Sequence, residues 1–297
     1  MSKKLKDIRK KIAALDDKIH DTLMQRAALI DDIAAEKRKS GLQFVHPARE
    51  AQMIRRLLER HNGSLPQTAL VRIWRELVGA VSLLQTGLKV SVFVPENNML
   101  IWDYSKCYFG SAVAMQKLSS PLVALASVRE DESSFAVLPW PEDNQENAWW
   151  THLFHQDSDI KIVCALPYGS IEGQTSDPEN KALVISKINF DESGEDRSFV
   201  ALEIDHSVSR ARIVDVLQEM QFEPLSINSI TRADEEGHSL HLIELNSYLS
   251  PDDARLTELA LKLEEFQARV KLMGGYPVSP IYKTTDVPTL ERDMPVA

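Results

Sequence analysis

The chain has 297 residues, 43% of them hydrophobic and 26% charged, with 34 Lys and Arg against 44 Asp and Glu. That length can build two or three hydrophobic cores. No apolar run reaches the length of a membrane span, and Met1-Ser2-Lys3-Lys4 leads into an amphipathic pattern rather than a signal-type segment. Cys107 and Cys164 sit at no metal spacing and imply no disulfide framework, so the expected setting is a reducing cytoplasm. The net charge of −10 is uneven: residues 1–60 carry 15 Lys and Arg against 9 Asp and Glu, leaving −16 for the remainder. Acids alternate with the bases in that basic segment and no nucleic-acid module is recognisable, so neither a nucleic acid nor a membrane is expected as partner.

From Ile8, buried-type positions recur as Ile8, Ile12, Leu15, Ile19, Thr22/Leu23, Arg26, Ile30, Ile33 and Lys37. Steps of three and four mark the seam of a packed helix over residues 5–39. Such a helix is about 50 Å long. It needs a partner to cover it, and a second copy of itself fits that need. Arg26 and Lys37 place cations in this seam, about 16 Å apart along the axis and facing the same way. They either grip a small anion or carry their charges out to water and to neighbouring acids. Ser40-Gly41 reads as the helix stop. Pro47 then opens a second helix through Ile54, Leu57, Leu58 and His61, with Arg49 and Glu50 in its first turn. Pro66 opens a third, with Leu70, Ile73/Trp74, Leu77, Val81 and Leu84/Gln85 along one side, and Trp74 reads as core. Three helices thus send polar groups toward one shared cavity.

These residues resemble the all-helical, type II chorismate mutases. The likeness rests on the run from Ile8 through Arg9 to Asp16, on Arg26 and Lys37, on the Arg49-Glu50 pair and on Gln85. Order and spacing agree over residues 5–86. The resemblance implies a homodimer with interlocked N-terminal helices, in which each site borrows Arg9 from the partner. Arg9 and Arg26 lie seventeen residues apart, about 25 Å, which is poor placement for one site within one chain. The implied reaction is the pericyclic conversion of chorismate to prephenate, which needs no nucleophile, metal or proton transfer, so no cofactor is expected. Arg26 and the borrowed Arg9 would clamp the two carboxylates. Lys37 and Gln85 would donate to the ether oxygen, Glu50 would accept from the ring hydroxyl, and Arg49 would support the pocket. His46 stands where the family often has aspartate, and Val81 where a small hydroxyl residue is common. Both departures point to altered affinity rather than lost activity.

Beyond Gly87 the pattern changes. Strands are predicted at 89–94, 122–128, 135–138 and 159–165, and helices at 111–118 and 146–155, an α/β lobe over residues 88–192. The stretch from Phe135 to Asn144, with Trp149, Trp150 and Leu153 after it, resembles a substrate-facing part of prephenate dehydratase. The catalytic Thr-Arg-Phe triplet of that family is missing, the nearest candidate being Ser186-Lys187-Ile188-Asn189-Phe190. The lobe therefore reads as dehydratase-like without dehydratase activity.

Residues 191–196 read as a solvated acidic linker. Strands at 198–204, 224–231, 238–246 and 268–272, with helices at 210–220 and 251–266, give a ferredoxin-like β-α-β-β-α-β order over 197–281. That order resembles an ACT domain, as does the closing Leu272-Met273-Gly274-Gly275-Tyr276-Pro277. The family's phenylalanine-binding stretches read here Ser207-Val208-Ser209-Arg210 and Asn228-Ser229-Ile230-Thr231-Arg232, without the glycine turn, so phenylalanine is not expected to act as effector. His238 and His241 read as surface residues rather than a metal site, and residues 282–297 as a loose tail.

The sequence thus describes a multidomain chain: an all-α chorismate mutase-like module (1–87), an α/β lobe and an α+β ACT-like module. Two rival readings are a bifunctional mutase/dehydratase and a non-catalytic helical interaction protein on the same scaffold.

Overall fold

The computed structural model describes residues 2–40, 43–154, 158–173, 177–231 and 237–282. Lys3–Ser40 form one helix, α1, about 57 Å long. Ala34 is its only buried residue. Ile12, Leu15 and Ile19 are 52, 56 and 58% exposed, and Ile8, Met24, Leu29 and Ile33 are exposed with them. A single chain therefore leaves the first half of the predicted seam and Ile33 uncovered, while Leu23, Arg26, Ile30 and Lys37 are half-buried.

Helix α2 (Pro47–Glu59) has Pro47 in its first turn and buries Ala48, Ala51 and Ile54. Helix α3 (Gln67–Thr86) follows Pro66 and stops at Gly87, whose left-handed φ of 65° lets its N–H reach the Leu83 carbonyl. The buried stripe of α3 is Val71, Arg75, Gly79 and Ser82. The expected face is half-buried at Leu70, Trp74, Leu77, Val81 and Gln85, with Trp74 packed against the cluster of Ile54, Val71 and Tyr282, while Ile73 and Leu84 are 47 and 80% exposed.

The remaining elements are β1 (Lys89–Phe93), α4 (Leu100–Phe109), β2 (Ala114–Leu118), α5 (Pro121–Arg129), β3 (Phe135–Pro139), α6 (Thr151–Phe154), β4 (Lys161–Leu166), β5 (Ser170–Ile171) and β6 (Ala182–Ser186). After them come β7 (Asp196–Asp205), α7 (Arg210–Glu219), β8 (Pro224–Thr231), β9 (His238–Leu245), α8 (Ala254–Lys262), β10 (Arg269–Pro277) and β11 (Ile281–Tyr282). Nine strands form one mixed sheet in the order β2-β1-β3-β6-β4-β10-β7-β9-β8. The last four follow the antiparallel ferredoxin-like arrangement that the sequence suggested. The two C-terminal modules share this sheet, because β10 lies parallel to β4 with Gly274 opposite Ile162. A Cβ at residue 274 would strike the Ile162 carbonyl oxygen, and the φ of 101° there also favours glycine.

Several predicted elements are corrected. Residues 114–118 form a strand parallel to β1, not a helix. Residues 121–129 form a helix, not a strand: the Ser120 side chain accepts the Val123 N–H, and Pro121 occupies the first turn. Of the helix expected at 146–155, only Thr151–Phe154 is helical. Ala148, Trp149 and Trp150 are buried in the preceding turn, and His155 lies outside the described residues. Helix α4 and strand β6 were not anticipated. The run Ala182 to Ser186 is buried throughout, between β3 and β4, and a continuous apolar run carries no strand period.

The expected acidic linker is a folded turn. Ser193 and Asp196 are buried, and Asp196 accepts the Ser193 N–H and hydroxyl at 2.7 and 2.6 Å and the Gly194 N–H at 3.0 Å. Arg55 of α2 grips this turn, donating to the Ser193, Glu195 and Val278 carbonyls at 2.9, 2.8 and 3.2 Å. His241 is buried rather than on the surface, and bonds Ser229 Oγ at 2.6 Å. Tyr282 pairs within β11, and residues 283–297 lie outside the described residues.

Helix α3 docks on the end of α4 through Gly79, where a Cβ would collide with the Phe109 carbonyl oxygen. Gly79→Ala improves helix propensity by about 1 kcal/mol. The forced separation costs about 1–3 kcal/mol or more, because the obstacle is backbone. The variant should melt several degrees below the parent in a thermal scan; an unchanged or higher Tm would contradict this packing.

Candidate functional site

Three helix ends meet where α1 finishes. Lys37, half-buried in the last turn of α1, donates to the Phe44 carbonyl at 3.2 Å and lies 5.8 Å from the Phe44 ring centre. Burial pushes its ammonium below the usual lysine range, the Arg49 charge pushes the same way, and Glu50 opposes both. Lys37, Arg49 and Glu50 are therefore electrostatic neighbours. Arg49 is exposed, while the Glu50 side chain is 13% exposed. Pro47 starts α2 so that Glu50 falls in its first turn, with its N–H bonded to the His46 carbonyl at 3.1 Å.

Gln85, half-buried near the end of α3, donates to the Ile30 carbonyl of α1 at 3.3 Å. Val81, one turn earlier, is half-buried, as is Arg26 on α1. Arg26, Gln85 (through Ile30) and Lys37 thus occupy one stretch of α1 about 16 Å long. Arg9 does not join them: it lies on the exposed first half of α1, about 25 Å from Arg26. Both ring nitrogens of His46 are engaged elsewhere, with the Gln43 carbonyl at 2.8 Å and Asp191 at 3.2 Å.

One residue of this site escaped the sequence reading. Arg75 Nη1 donates to Glu50 Oε2 at 2.7 Å, and its side chain is only 4% exposed. Its Nε donates to the Tyr108 carbonyl at 2.7 Å, and its guanidinium carbon stands 3.8 Å from the Tyr108 ring centre and 5.5 Å from that of Tyr168. Burial disfavours the charge, but Tyr108, Glu50 and Tyr168 more than offset it, so Arg75 remains a cation. The available signal was the helical spacing of Val71, Arg75, Gly79 and Ser82. Its small and polar members do not read as a packed face.

A second concavity, about 270 Å³, opens at the carboxyl ends of β3, β4 and β10, a common place for ligands in α/β sheets. Trp140, Leu166, Lys181, Arg197 and Tyr276 help to line it. The Lys181 ammonium lies 5.6 Å from the Trp140 ring centre. Arg197 donates to Glu244 at 3.3 Å and to the Tyr276 hydroxyl at 3.2 Å, and Tyr276 donates to Glu244. Ser186, the start of the nearest triplet candidate, ends β6 at the far end of that strand from Lys181 and donates to the Ser134 carbonyl at 2.8 Å.

In the ferredoxin-like module, Arg210 forms a two-pronged pair with Asp143 at 3.0 and 2.6 Å, and Asp143 also accepts the Ser229 N–H at 2.8 Å. The stretches compared with an effector site are thus engaged with the 143 turn, and Arg232 lies outside the described residues. Among the described residues there is no cluster of potential metal ligands, and no helix is long and apolar enough to cross a membrane. Both cysteines are free thiols.

Comparison with known proteins places residues 8–86 in the family described as chorismate mutase type II. A bifunctional chorismate mutase/prephenate dehydratase from Aquifex aeolicus is 28% identical over 163 residues, covering 54% of this chain and 45% of the relative. One of the same description from Pseudomonas aeruginosa is 28% identical over 138 residues, covering 45% and 36%. The chain spans less than half the length of these curated relatives. Prephenate dehydratase from Streptococcus mutans shows a loose likeness of fold, with a TM-score of 0.45 at 17% identity over 66% of this chain and 99% of that one. The helical module that carries Arg26, Lys37, Glu50 and Gln85 is a type II chorismate mutase domain.

Proposed function

We propose that this chain is an enzyme that converts chorismate to prephenate, in the cytoplasm and on the route to phenylalanine and tyrosine. The helical module is residues 1–87, and residues 88–192 and 197–281 form the lobes behind it. The observation that carries this reading is the grouping of Lys37, Arg49 and Glu50 at one end of α1, with Gln85 and Arg26 along the turns before it.

Chorismate must be held compact while its ether bond breaks, and the enzyme's work is positioning and charge stabilisation. Arg26 and the partner's Arg9 clamp the carboxylates with paired N–H donors. Lys37 has one of its three donors on the Phe44 carbonyl, which leaves two for the ether oxygen, and Gln85 supplies another. Glu50 has one oxygen on Arg75, so the other accepts from the ring hydroxyl. Arg49 supports this end of the pocket, while His46 and Val81 tune affinity at its edge. The uncovered seam of α1 supports a homodimer in which two such helices interlock.

Lys37→Ala should lower chorismate turnover by about two orders of magnitude or more, with the helical signal retained, since one donor to developing negative charge is typically worth that much. The parent should also lose activity on the alkaline side below the usual lysine range. Its ammonium deprotonates early, and the charged form is the donor, so activity falls as pH rises through that depressed value. A variant with near-parental rate would remove Lys37 from the mechanism.

The relatives' description as bifunctional favours a second reading, with prephenate turned over in the concavity between Lys181 and Arg197. Against it stands the missing Thr-Arg-Phe triplet, because dehydration needs a placed acid for the leaving hydroxyl. Prephenate supplied to the chain should give no phenylpyruvate by absorbance, and phenylalanine should leave chorismate turnover unchanged. Steady phenylpyruvate formation would establish the bifunctional reading instead.

A further inference from the structure

We infer that Arg75 is a positioning residue for Glu50, and that through it the α/β lobe completes the mutase site; the inference rests on the function proposed above. Burying a guanidinium is expensive, and a well-packed apolar replacement often serves stability as well or better. The geometry of Arg75 matches a role in alignment. Its planar fork is held at both ends: Nη1 bonds Glu50 Oε2, and Nε bonds the Tyr108 carbonyl, each at 2.7 Å. The Tyr108 ring lies against the guanidinium at 3.8 Å, with Tyr168 at 5.5 Å.

Tyr108 belongs to the last turn of α4, which ends at Phe109. Carbonyls there lack intrahelical partners and carry the negative end of the helix dipole. Arg75 is therefore a cation set on the end of a helix of the other module. That helix end is itself fixed to α3, because Gly79 abuts the Phe109 carbonyl and Glu76 accepts the Ser111 N–H at 3.0 Å. The Glu50 carboxylate thereby takes its position from α4 of the lobe as well as from α2. An isolated helical module lacks the Tyr108 anchor.

The test is a double-mutant cycle in the full chain with Glu50→Gln, Arg75→Gln and the pair together, joined by Arg75→Lys. Chorismate kcat, KM and Tm are measured for each. If Arg75 acts through Glu50, each single substitution lowers kcat, and the pair is no slower than Glu50→Gln alone. Arg75→Lys keeps the charge but loses the planar fork, so kcat should fall about tenfold to a hundredfold, with a smaller change in KM. Multiplying effects in the pair, or parental kcat for Arg75→Lys, would overturn the role. Should Arg75→Gln fail to fold because Glu50 is left unpaired, the neutral pair and Arg75→Lys still decide. A parent that does not turn over chorismate would overturn the functional reading and this inference with it. An active parent with multiplying effects would overturn the inference alone.

Discussion

Leu15, Ile19, Leu29 and Ile33 are more than half exposed on a helix that its own chain fully buries only at Ala34. Full burial of each large side chain stabilises by about 1.5–3 kcal/mol, so the exposed residues of α1 together represent on the order of 10 kcal/mol of unrealised burial. That is comparable with the whole stability of a domain, about 5–15 kcal/mol. A long helix with such an edge depends on what covers it. On the proposed reading the cover is a second α1. On that reading the pairing that buries the edge would also bring a distant Arg9 to the Arg26–Lys37 stretch, making assembly and site completion one event.

The other end of the helical module is settled within the chain. Arg55 closes on three carbonyls of the sheet module, Gly79 lets α3 touch α4, and Arg75 bridges Glu50 to the end of α4. Each contact uses backbone carbonyls as acceptors or as close neighbours, which fixes position more narrowly than side-chain packing. The sheet beneath is continuous because Gly274 lets β10 approach β4. The lobes behind the helical module thus form its mounting.

Much of this was legible in the sequence, for identifiable reasons. The period of α1, the proline of α2 and the glycine after α3 are local signals, and each element appears within a few residues of its expected place. The ferredoxin-like order was readable because its two amphipathic helices, α7 and α8, fall between the apolar strand runs. Errors collected where local signals conflict. The run from Leu122 to Val128 is apolar enough for a strand, yet Ser120-Pro121 starts a helix. Residues 114–118 take strand form from pairing with β1, a non-local cause. Residues 191–196 looked solvated because they are acidic, but Asp196 spends its charge on backbone N–H groups. Arg75 stayed hidden because a lone arginine among small residues reads as solvent-facing until its partners, 25 and 33 residues away, are placed beside it.

On the proposed reading the working site takes Arg26 from one chain and Arg9 from another. Mixing Arg9→Ala chains with Arg26→Ala chains, each nearly inactive alone, separates this arrangement from a site built within one chain. Every mixed dimer then holds one site with both arginines and one with neither. With random exchange at equal amounts, chorismate turnover should recover to about a quarter of the parental rate. No recovery, with subunit exchange verified by mass-tagged chains, would mean that the site is built within a single chain and that α1 is covered by something else.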